Sequence, residues 1–114
     1  MMDMDYMCNI PIMTSLIEQN RNRLEELCRR FGVRRFELFG SAAGGDFNEQ
    51  TSDFDFLVEF LPTDPAGHAH AYLNLLVALE DLFGRRIDLL ETRAIKNPYL
   101  METINKSRVE LYAA

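Results

Sequence analysis

Only two cysteines, Cys8 and Cys28, occur in the 114 residues, and no apolar run approaches the ~20 residues that a membrane span needs. The first shortage argues against a disulfide framework and a cysteine-based metal centre, and the second against a membrane-spanning helix. The opening MMDMDYMCNIPIM carries acids where a secretory signal has a basic segment, so it reads as neither a signal nor a transit peptide, and a cytoplasmic location is expected. In that compartment both cysteines should be free thiols, with Cys28 on the apolar face of a helix. Basic charge is also in short supply: 12 Lys and Arg stand against 18 Asp and Glu, a formal charge of −6. That balance disfavours a broad phosphate-backbone contact and sets nucleic acid aside as the main partner, with local pairs such as Arg29-Arg30, Arg34-Arg35 and Arg85-Arg86 as exceptions. No repeat, linker or low-complexity tract interrupts the chain.

What is present is the composition of an ordinary globular domain, 47% hydrophobic and 26% charged. Such a chain fits one core, burying roughly two-thirds of its unfolded surface. Residues 1–13, which hold five of the six methionines and show no clear period, read as a flexible lead-in, and 14–114 as a single domain. A homo-oligomer is compatible with this composition.

From Ser15 the pattern is helical. Ser15 and Glu18 match a capping box, Leu24, Leu27, Cys28 and Phe31 share one face, and Gly32 supplies the stop, which predicts a helix over 15–31. Val33–Phe39 reads as a strand, Gly40–Ser52 as a polar loop, and Asp53–Phe60 as a second strand forming a hairpin-like pair with the first. TDPAG at 63–67 reads as a turn preceding a helix with the stripe Tyr72, Leu75, Leu76, Leu79, Leu82 and Phe83, stopped by Gly84. His68 and His70 are read as preceding that helix in a polar turn and are expected to be solvated. RRIDLLE at 85–91 predicts a third strand, laid parallel to the second by the helical crossover. Asn97 as cap and Pro98 at the first position open a last helix, with Leu100, Ile104, Val109 and Leu111 on its buried side. The expected class is α/β (α+β): a small mixed sheet of about three to four strands flanked by helices.

Within the strand 53–60, period two sends Phe54, Phe56, Val58 and Phe60 to one face and Asp53, Asp55, Leu57 and Glu59 to the other. An isolated Asp-x-Asp is commonly the solvated face of a half-exposed strand. Here, however, two poor strand formers flank Phe54 in the most apolar strand of the chain. A third acid, Asp88, lies between Ile87 and Leu89 in the strand expected next door. Three converging carboxylates suit a hard divalent ion such as Mg²⁺, which keeps several waters and takes further ligands from phosphates. Gly40-Ser41 ends the first strand at the same edge, where a residue without a side chain lets backbone N–H groups and a hydroxyl approach phosphate oxygens. Glu59 shares that face but lies farther along, and is expected to be a surface charge.

Taken together, LFGS, a polar spacer, SDFDFLVEF and RRIDLLE resemble the minimal nucleotidyltransferases (MNT) of the DNA polymerase beta superfamily, whose signature is Gly-Ser, a spacer and Asp-x-Asp. The resemblance runs from about Phe31 to the end, NPYLMETINKSRVELYA being similar to the family's closing helix. It implies a polymerase-beta-like core and transfer of a nucleoside monophosphate, AMP from ATP, to a hydroxyl with release of pyrophosphate. It also implies that Asp53 and Asp55 hold two Mg²⁺ ions, that Asp88 binds the catalytic ion and helps activate the hydroxyl, and that Gly40 and Ser41 hold the triphosphate. Members of this size are often antitoxins beside helical HEPN-domain toxins, and some add AMP to a toxin tyrosine. A chain of 114 residues has no second domain for an acceptor, which agrees with an acceptor brought by a partner protein.

The spacer AAGGDFNEQT contains no arginine, so a phosphate site would draw its cation from elsewhere, with Arg86 and Arg93 as candidates. The alternative reading is a non-catalytic binding antitoxin that retains the metal cluster as a relic. A glycosyltransferase-type Asp-x-Asp is a third, disfavoured by the short chain.

Overall fold

The computed structural model describes residues 12–40 and 54–114. Two helices, α1 (Ile12–Gln19) and α2 (Arg21–Arg30), lead into strand β1 (Val33–Phe39). After β2 (Phe54–Phe60) come α3 (Pro65–Phe83), β3 (Ile87–Glu91), a 3-10 turn over Thr92–Ala94, α4 (Pro98–Ser107) and β4 (Val109–Ala113). The expected single helix over 15–31 is therefore two. At the break, Asn20 donates its side-chain amide to the Leu16 carbonyl at 2.9 Å, competing with the helical ladder. Ser15 lies inside α1 rather than at a cap, which corrects the capping-box reading. Leu24 and Cys28 are buried as the periodicity required, and Gly32 leaves the helix at φ +68°.

The four strands form one mixed sheet in the order β3-β2-β1-β4. β1 runs antiparallel to both β2 and β4, whereas β3 pairs parallel to β2 across α3. Such a parallel connection needs a long crossover, and the helix supplies it. One face of the sheet packs on α1, α2 and α3: Phe36, Leu38, Phe54, Phe56, Val58, Ile87 and Leu89 meet Ile17, Leu24, Cys28, Leu75 and Leu79. Phe36 and Phe56 stack with centroids 4.7 Å apart, and Phe83 closes on Phe54 edge-on at 4.9 Å. A register shift between Val33 and Arg35 lets Val33 and Phe36, three positions apart, both reach this core. A smaller cluster on the opposite face joins Ile104 of α4 to Phe39 and Leu57.

The start of the last helix was legible: Asn97 accepts from the Tyr99 N–H at 2.9 Å, with Pro98 at the first position. Asp64 accepts from the Gly67 N–H at 3.1 Å, so TDPAG is the N-terminus of α3 and not a turn before it. The last helix ends earlier than expected. Val109–Ala113 is a strand, Val109 is 46% exposed, and Leu111 is buried against the sheet rather than on a helix. The open edge of β1 needs backbone partners, and an alternating segment that delivers Leu111 inward satisfies it better than another helical turn. Among the described residues no helix is long and apolar enough to cross a membrane.

Candidate active site

Period two sets the character of the site. Since Phe54, Phe56, Ile87 and Leu89 point into the helical core, Asp55 and Asp88 belong to the opposite face. They are register partners across the parallel β2–β3 pair, which places their backbones about 4.8 Å apart. Asp88 is exposed and Asp55 half-buried. Asp55 also stands opposite Phe39, the last residue of β1, so the chain's exit at Gly40 falls beside it. Gly40 has φ +79°, and a Cβ built on it would overlap the Asp55 carboxylate, lying 3.2 Å from its Cγ. Only glycine both adopts that backbone and leaves room for the acid. Asp53 and Ser41, the remaining predicted site residues, lie outside the described residues.

Two carboxylates at neighbouring register positions repel unless a cation lies between them. An all-oxygen donor pair of this kind fits a hard divalent ion such as Mg²⁺. Among the described residues no group of three or more His, Cys, Asp or Glu could hold a metal, and the third predicted carboxylate, Asp53, lies outside them.

Three residues that the sequence reading did not single out hold this end of the sheet. Ser107, the last residue of α4, accepts a hydrogen bond from the Gly40 N–H at 3.0 Å. That N–H is thus committed within the fold rather than facing a phosphate, as the sequence had suggested. One residue on, Arg108 grips buried Glu37 through two bonds, Nε to Oε2 at 2.8 Å and Nη2 to Oε1 at 2.6 Å. Arg108 also reaches Asn105 Oδ1 at 2.6 Å. The hydrogen bond to Glu37 raises the Arg108 pKa further, against the opposing effect of burial. Glu37 carried a readable signal, an acid inside the apolar run FELF, the same signal that drew attention to Asp55. Ser107 carried none.

At the far end of β2 lies a separate cavity of about 590 Å³, lined by Val58, Phe60, Pro62, His68, Glu91 and Arg93 among others. Val58 is three residues beyond Asp55, roughly 10 Å along the strand, so this cavity is distinct from the acid pair. His68 is not solvated as expected. It meets Glu91 Oε1 at 2.5 Å, packs edge-on to Phe60 at 5.2 Å, and lies 3.2 Å from an Arg93 nitrogen. Arg93 is therefore engaged at the end away from the acids, which removes it as a phosphate cation. Arg86 is exposed just before β3, two residues from Asp88, and Arg85 sits over the Phe54 ring at 4.5 Å. Tyr72 donates to the Leu89 carbonyl at 2.6 Å beneath the sheet, and burial, then Glu91 and Asp88, push its pKa up.

A small mixed sheet that presents carboxylates from adjacent strands beside a glycine exit defines a class, the nucleotidyltransferases. The chain belongs to the nucleotidyltransferase domain family, whose model matches residues 21–111. It is 37% identical over 73 residues to protein adenylyltransferase MntA of Thermococcus cleftensis, covering 64% of this chain and 70% of that protein. A solved structure of a "putative minimal nucleotidyltransferase" superposes with a TM-score of 0.69 at 32% identity, covering 83% of this chain and 92% of that one. The fold is also that of a chain in a complex of a tri-AMPylated Shewanella oneidensis HEPN toxin with its MNT antitoxin. There the TM-score is 0.54 and the identity 20%, with 85% of this chain and 72% of that one covered.

Proposed function

We propose that this nucleotidyltransferase moves AMP from ATP to a hydroxyl on a HEPN-type toxin and so acts as an antitoxin in the cytoplasm. The observation that carries the reading is the register pairing of Asp55 with Asp88, with Gly40 against the Asp55 carboxylate. The name of the Thermococcus relative and the AMPylated toxin in the Shewanella complex support the choice of AMP and of partner.

In this reading Asp53, Asp55 and Asp88 would hold two Mg²⁺ ions. When bound, a metal pair stabilises both the entering and the leaving oxygen of an in-line phosphoryl displacement. The protein's own part is to fix the carboxylates at one end of adjacent strands, with Asp88 also aiding activation of the attacking hydroxyl. Gly40 keeps the space beside Asp55 open, and Gly40 and Ser41 border the triphosphate. The bond formed joins the acceptor oxygen to the α-phosphorus; the bond broken releases pyrophosphate; the hydroxyl proton passes to a base.

The test is to incubate the protein with α-labelled ATP and a HEPN-domain toxin, with Mg²⁺ or with EDTA. Label transferred to the toxin only with Mg²⁺ is the expected result. Toxin binding and neutralisation without label would replace catalysis by a purely binding antitoxin.

A further inference from the structure

We infer that Ser107 is a positioning residue for the nucleotide site, acting through Gly40 on the Asp55 carboxylate. This rests on the nucleotidyl-transfer reading of that site. Three elements distant in sequence meet there. Gly40 ends β1, Asp55 belongs to β2, and Ser107 closes α4, yet the Ser107 hydroxyl lies 3.0 Å from the Gly40 nitrogen, across 67 positions of sequence. Gly40 in turn lies so close to Asp55 that no side chain fits between them. The position of the Gly40 backbone is therefore the wall against which the Asp55 carboxylate rests.

Among the described residues, the side-chain hydrogen bond that Gly40 makes is to a distant element, at Ser107. Gly40 is the most permissive residue type in the left-handed conformation, and it is the point at which the chain leaves the sheet. The hydrogen bond from its N–H is the described contact that ties it to the far side of the site. Arg108 adds leverage, because its two bonds to buried Glu37 anchor the α4–β4 junction to β1 three residues before Gly40. With the junction anchored, the Ser107 hydroxyl becomes a fixed point. Removing it leaves a half-buried N–H without its partner and lets Gly40 drift, which relaxes the close packing of its backbone against the Asp55 carboxylate.

The test compares wild type with Ser107→Ala and Ser107→Thr by isothermal titration of ATP with Mg²⁺ and with EDTA, and by thermal melting. Ser107→Ala should weaken Mg²⁺-dependent ATP binding roughly 3- to 10-fold, the loss of one ordinary hydrogen bond. Ser107→Thr, which keeps the hydroxyl, should restore binding to within about twofold. Unchanged ATP affinity in Ser107→Ala, whatever its melting temperature, would reduce Ser107 to a helix-end anchor and overturn the inference. So would equal weakening in Ser107→Thr, since side-chain volume rather than the hydrogen bond would then be responsible. Absence of Mg²⁺-dependent binding in the wild type would instead overturn the nucleotide reading, and this inference with it.

Discussion

Asp55 and Asp88 are register partners on two parallel strands, and they share the sheet face turned away from the helical core. Aspartate is a poor strand former, and two carboxylates at paired positions repel each other.

Replacing either acid by its neutral isostere separates those effects. Asp55→Asn and Asp88→Asn, and Asp53→Asn likewise, should lower AMP transfer by on the order of 100-fold or more. Because neutralisation relieves the repulsion between the paired acids, Asp88→Asn should leave the metal-free melting temperature level or higher. A large fall in melting temperature would make the acids structural.

Two glycines with left-handed backbones give a matched comparison. Gly40→Ala and Gly84→Ala should each cost about 1–2 kcal/mol in backbone strain, read by urea denaturation. Gly84 has open space where a Cβ would go, whereas at Gly40 the methyl meets Asp55. Only Gly40→Ala should therefore weaken Mg²⁺-dependent ATP binding, and equal effects from the two would count against the crowding at Asp55.

The buried ion pair predicts a stability effect. The Glu37 side chain is 7% exposed and that of Arg108 28%, so Arg108→Leu should strand a carboxylate and cost about 1–3 kcal/mol. Adding Glu37→Met should recover much of that loss, because an apolar pair leaves no unpaired charge. Denaturation of both variants checks the sign.

Cys28 should be chemically quiet in the folded protein. Burial, with a smaller push from Glu25 against the pull of Arg29, raises its pKa from 9.0 to about 12. Brief alkylation at mildly alkaline pH should leave it unmodified until denaturant is added, as mass spectrometry of peptides would show. The sign for stability follows: the unfolded thiol ionises first, so this contribution is intact below about 9 and is lost as pH rises from there towards about 12.

Much of this was written in local sequence. Val33–Phe39 as a strand, Gly32 and Gly84 as stops, and Asn97-Pro98 as a helix start depend on neighbours within one turn or one pleat, and periodicity reports such neighbours directly. The acids were legible for the same reason, since a carboxylate inside an apolar run is a local contradiction that calls for an explanation. That contradiction marked Asp55 and Asp88, and stood equally at Glu37. Tertiary structure alone decided the rest. Whether VELYA continues α4 or crosses to β1 depends on an open strand edge some 70 residues away. That His68 joins Glu91, and that Ser107 reaches Gly40, depends on elements meeting that no local pattern connects. Hydrogen bonds between distant segments leave no periodic trace, because either partner is an ordinary residue until the fold brings it to the other.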